Sequence, residues 1–199
     1  ERAERDAFGQ RLAPIQDEAL RALQPPLAGV SLDLPHLALL LHRQIDFAAE
    51  RAAYANPRAE VDLLREVARA LHACNNLLTA RGLEPLHVAV EGHTEFSEPE
   101  TRMVRLSADR AARVRQDIVS YMVEMAEAEA ADPGGTGANA HGGEPPAHAR
   151  LRHVHADIEL LLVHAGFGGK RGRGRCVELR VLAPSEVRAH KLSPEYARL

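Results

Sequence analysis

The chain has 199 residues, of which 45% are hydrophobic and 27% charged, with a formal net charge of −3. That length buries a core without disulfide or metal staples, and the slightly acidic balance argues against a general nucleic-acid binder. Aromatic residues make up only 4% and Trp is absent, so base-stacking platforms are scarce.

The longest apolar run, Leu37 to Leu41, is far shorter than a membrane span requires. Cys74 and Cys176, the two cysteines, make neither a disulfide framework nor a zinc site. Lys170 and Lys191 are the only lysines, a skew toward arginine that reads as coding bias. The chain opens on Glu1, which reads as a piece of something longer, with any leader or anchor outside it.

Residues 1–35 read as a polar helical extension or linker. Leu12, Ile15, Leu20 and Leu23 form a loose stripe, and Pro25-Pro26 stop it. From Leu39 to Phe47 alternate residues share one face, which predicts a strand over 39–47 interrupted by Arg43. Asn56-Pro57 is a helix start. Val61, Leu64, Val67, Ala68, Leu71, Cys74 and Leu78 then follow the helical period, and Gly82 stops it, predicting a helix over 57–80.

Leu86, Val88 and Val90 alternate with polar neighbours and predict a strand over 86–91 closed by Gly92. Ser107 reads as the cap of a second long helix, 107–128, whose buried stripe is Ala111, Val114, Ile118, Tyr121 or Met122, and Met125. The Gly- and Pro-rich stretch of about 131–146 has no periodicity and reads as a flexible insertion. Ile158 to Val163 predicts a strand over 157–163, the glycines from Gly166 to Gly174 a loop, and Val177, Leu179 and Val181 a last strand over 176–182. Residues 186–199 read as a tail. The order β-α-β-α-β-β predicts an α/β two-layer sandwich: a mixed four-stranded sheet with both helices on one face and a closing antiparallel hairpin.

The segment VEGHTEFSEPETRMVRLSADRAARV holds the most specific signal. Glu91-Gly92-His93-Thr94, then Leu106-Ser107, Arg110-Ala111 and Val114, resemble the E-G-H-T-D … N-x-x-L-S-x-x-R-A-x-x-V pattern of the OmpA-like peptidoglycan-associated family, found at the C termini of outer-membrane protein A and the flagellar motor protein MotB. Ile45-Asp46-Phe47, Gly166-Phe167-Gly168 and Arg175-Cys176-Val177-Glu178-Leu179 resemble further family segments, so the likeness spans about residues 36–183 apart from the Gly-rich insertion, within a domain read as 36–185.

The resemblance implies a non-catalytic binding domain for the diaminopimelate stem peptide of peptidoglycan. A carboxylate, here Glu95, meets the ligand's ammonium; a guanidinium, here Arg110, pairs with its carboxylate. Thr94, Met103, Leu106 and Ser107 would frame the pocket, with the helix N-terminus at Ser107 adding N–H donors. Five positions depart from the pattern: Glu95 stands for Asp, Met103 for Asn, Glu98 for Gly, Gly174 for Asn and Cys176 for Arg. They open the alternative of a diverged protein-interaction or scaffold module that no longer binds peptidoglycan. No cofactor and no metal are expected, and the partner is peptidoglycan or a protein in the same cleft. A membrane would be met only through parts outside this segment, and the chain would be a monomer or dimer. It would sit in the periplasm or cell envelope of a bacterium, and otherwise inside the cell.

Three other features have plain readings. His153, His155 and His164 are too loosely spaced for a zinc motif, and eleven histidines make close pairs ordinary. His93 reads as a structural histidine supporting the loop of Glu95. KRGRGR, 170–175, reads as the basic turn of the closing hairpin rather than an RNA-binding patch.

Overall fold

The computed structural model describes residues 2–94, 100–131, 158, 161–169 and 176–192. They form five strands and four helices: α1 (Arg2–Ala22), β1 (Val30–Asp33), β2 (Ala38–Leu41), α2 (Pro57–Ala80), β3 (His87–Thr94), α3 (Glu100–Ala131), β4 (Leu162–Gly169), β5 (Cys176–Leu182) and α4 (Pro184–Leu192). One mixed sheet runs β1-β2-β5-β3-β4. Only the β3–β4 pair is parallel; the other three are antiparallel.

The pairing shows which residues share a face. Val88, Val90 and Gly92 of β3 lie opposite Val181, Leu179 and Val177 of β5 and opposite Leu162, His164 and Gly166 of β4. Leu39 of β2 continues that face, and Leu32 of β1 follows it. These apolar residues form one core with Leu64, Val67, Leu71 and Leu78 of α2 and Val114, Ile118 and Met122 of α3. Both helices therefore pack on one face of the sheet. Each fully buried Val, Leu or Ile side chain contributes about 1.5–3 kcal/mol.

Helix α2 occupies the predicted span. Asn56 accepts the Ala59 N–H at its start, and Gly82 follows its end with φ of +67°. Buried Asn75 accepts the Leu86 N–H at 2.8 Å, tying α2 to the entry of β3.

Several elements differ from the sequence expectation. The sheet has five strands rather than four, because Val30 and Leu32 form a short first strand antiparallel to β2. The predicted strand over 39–47 stops at Leu41. Beyond it, Arg43 donates to buried Glu60 at 2.7 Å and draws the chain toward α2. Ile45 and Phe47 still reach the core, Phe47 through a lone bridge to Tyr54.

Helix α3 begins at Glu100, not Ser107; Pro99-Glu100 is itself a helix-start signature. β3 runs past Gly92 to Thr94, and β4 begins at Leu162 and takes in the glycines read as a loop. Nor is there a closing hairpin: β3 lies between β4 and β5.

Helix α1 packs through Leu12, Ile15 and Ala19 into the same core. A side chain at Gly9 would fall 1.9 Å from the Pro35 carbonyl oxygen, so the helix rests directly on the turn that follows β1. Helix α4 occupies part of the predicted tail, and its Glu186 pairs with Arg5 of α1. The insertion beyond Ala131, the basic stretch 170–175, and His153 and His155 lie outside the described residues.

Candidate functional site

The two halves of the E-G-H-T … L-S-x-x-R-A pattern meet where α3 crosses β3 and β4. Gly92 and Gly166 are neighbours in the parallel pair. A Cβ on Gly92 would lie 2.0 Å from the Ser107 carbonyl oxygen, and one on Gly166 would lie 2.3 Å from the Ala108 nitrogen. The paired glycines form a smooth window against which α3 seats its backbone. Ser107 is fully buried there, its Oγ donating to the Val104 carbonyl at 2.8 Å.

Ser107 thus lies two turns inside α3, and its N–H belongs to the helix ladder. The expected donor-bearing N-terminus at Ser107 is absent because the helix starts at Glu100. Leu106 beside it is half-buried, and Met103, one turn earlier, is buried.

Arg110, one turn beyond Ser107, is 2% exposed. Its Nε donates to the Arg51 carbonyl at 3.0 Å and its Nη2 to the Ala48 carbonyl at 3.3 Å. Its guanidinium stands 5.0 Å over the Phe47 ring. Between the two carbonyls lies Glu50, with φ of +55°, a conformation that costs a non-glycine residue about 1–2 kcal/mol. Arg110 therefore holds a strained turn against α3. Tyr54 supports the same loop by donating to Asp117 at 2.6 Å. Burial, foremost, and the facing Asp117 carboxylate push the tyrosine hydroxyl's pKa well above its ordinary value.

Thr94 ends β3. It is buried, and its Oγ1 has no hydrogen-bond partner among the described residues. Glu95 lies outside the described residues. His93 alternates to the face away from α3, where its ring stacks on Phe167 at 5.7 Å. His164 lies on the opposite, helix-facing side of the sheet and is buried. In the loop that receives Arg110, Phe47 stands out in the sequence as the end of the Ile45-Asp46-Phe47 segment, but Ala48 and Arg51 do not. The loop's one other signal was the Phe47–Tyr54 pair flanking a small-residue turn.

The fold places the chain in the class of α/β two-layer sandwiches: a mixed sheet, two long helices on one face, and a strand–helix junction closed by paired glycines. No protein-family model matches the sequence, and no curated protein matches it. Among solved structures, it is similar to an outer membrane protein from Borrelia burgdorferi B31 at 18% identity and a TM-score of 0.43, over 77% of this chain and 95% of that one. It is also similar to the periplasmic domain of Helicobacter pylori MotB (residues 78–256), at 13% identity and a TM-score of 0.38, over 79% of this chain and 93% of that one. A MotB periplasmic domain spanning residues 64–256 shows 14% identity and a TM-score of 0.39, over 88% and 87%. Among the described residues no helix is long and apolar enough to cross a membrane.

Proposed function

We propose that this chain is a non-catalytic binding module of the OmpA-like kind, acting in the cell envelope on the diaminopimelate stem peptide of peptidoglycan. The observation that carries this reading is the seating of Gly92 on Ser107. It brings the strand that leads into Glu95 against the helical turn that precedes Arg110. A carboxylate and a guanidinium delivered from such a junction complement the ammonium and carboxylate of a zwitterionic ligand. Thr94 adds a buried hydroxyl at the end of the strand.

A second reading is favoured by Arg110 itself. Its burial and its hydrogen bonds to Ala48 and Arg51 give it a structural task. On that reading the module kept the strand–helix junction and serves as a protein-interaction or scaffold domain.

Sedimentation with diaminopimelate-type peptidoglycan separates the two. On the first reading the wild-type chain co-sediments, and Arg110→Lys, checked for fold by circular dichroism, weakens binding because a point charge replaces a two-pronged donor. If the wild type stays in the supernatant while the double change Glu95→Asp with Met103→Asn pellets, the site has drifted from an ancestral pocket and the second reading holds. If neither pellets, the peptidoglycan assignment fails outright.

A further inference from the structure

The sheet face turned away from α2 and α3 carries a cluster that the proposed site does not use. Glu91 of β3 and Glu178 of β5 are direct partners across the antiparallel ladder. His93 lies two residues beyond Glu91, on the same side of the strand. One donor atom from each of the three lies within 4.8 Å of the others.

The geometry within this group suits a shared cation. His93 Nε2 and Glu178 Oε2 are 3.8 Å apart. That is too long for a hydrogen bond, but two donors each about 2.0–2.2 Å from one metal ion span it at an angle somewhat wider than tetrahedral. The imidazole is buried and fixed in orientation by its stack on Phe167. Arg180 contacts Glu91 at 3.2 Å through Nε and 3.1 Å through Nη2, both on Oε1, which leaves the carboxylate's second oxygen outside that pair.

Arg5, Glu186, Arg180 and Glu91 form a continuous run of ion pairs with two charges of each sign, which holds Glu91 in place on the sheet.

We propose that Glu91, His93 and Glu178 form a binding site for a first-row divalent cation, zinc being the best match to one imidazole and two carboxylates. Arg180 acts as the positioning residue that orients Glu91, as partners behind metal ligands do. The ion would staple β3 to β5 near the end of β3, where that strand leads into Glu95. This proposal does not rest on the peptidoglycan reading.

The test is calorimetric titration of the chelator-stripped full chain with zinc, paired with thermal unfolding. Glu178 is partly exposed, so Glu178→Gln should keep the fold; His93→Gln is the second variant. The expected result is a high-affinity binding step and a zinc-dependent rise in Tm for the wild type. In Glu178→Gln that step should weaken about tenfold or more. A wild type without that step, or a step of equal affinity in wild type and Glu178→Gln, overturns the site. If His93→Gln fails to fold, the Glu178→Gln comparison decides alone.

Discussion

The Ser107 carbonyl oxygen occupies the space that a side chain on residue 92 would need, 2.0 Å from where the Cβ would sit. The glycine of the G-H-T motif is therefore required by the approach of α3 to the sheet. Neither its strand nor a turn at its position explains it. Gly92→Ala should destabilise the fold by about 3 kcal/mol, the upper end of overpacking costs, since the clash is with backbone. Urea unfolding would measure it, and an unchanged midpoint would refute the close seating.

A second consequence concerns Arg110. Its guanidinium supplies donors to two loop carbonyls around the positive-φ Glu50. Arg110→Met keeps much of the apolar stem but removes both hydrogen bonds, and should cost about 1.5–3 kcal/mol. The loss should be accompanied by faster amide exchange over residues 48–54. Full stability in Arg110→Met would show that the guanidinium is not structural, and would return it to the ligand.

Cys74 lies on the buried stripe of α2 and is fully buried. Burial pushes its thiol pKa up to about 12, so the thiolate is scarce at neutral pH. Alkylating reagents should leave it unmodified in the folded chain and label it on unfolding. Peptide mapping after a native-state pulse checks this; rapid native labelling would contradict the packing.

What could be read in the sequence was what local chemistry determines. Helix α2 has a cap at Asn56, an amphipathic stripe and a terminating Gly82, and all three signals are local. The start of α3 was hidden because Ser107 has the composition of a cap, whereas its small size serves contact with Gly92 and Gly166, far away in sequence. Gly166 to Gly169 read as a loop for the same reason: glycine in a strand marks close approach as readily as a turn. Arg110 was identified from its motif, but its partners at Ala48 and Arg51 depend on a loop path that periodicity does not encode. The Glu91–His93–Glu178 group depends on the pairing of β3 with β5, which no spacing along the chain reveals.

The pH dependence of stability should centre in part on His164. It lies on the helix-facing side of β4, is buried, and its Nδ1 has no hydrogen-bond partner among the described residues. Burial, and then the positive charge of Arg115, hold its pKa below the ordinary 6.5. A folded state that resists protonation binds fewer protons than the unfolded chain below that value. Stability from this source is therefore complete above 6.5 and declines as pH falls toward the folded-state pKa, by at most about 1.4 kcal/mol per pH unit. His164→Leu removes the group that must charge while keeping an apolar filling of similar size. Urea midpoints measured at a series of pH values should fall less steeply on acidification in that variant than in the wild type. Equal slopes in the two proteins would place the acid sensitivity elsewhere, and would show that His164 is protonated without opening the core.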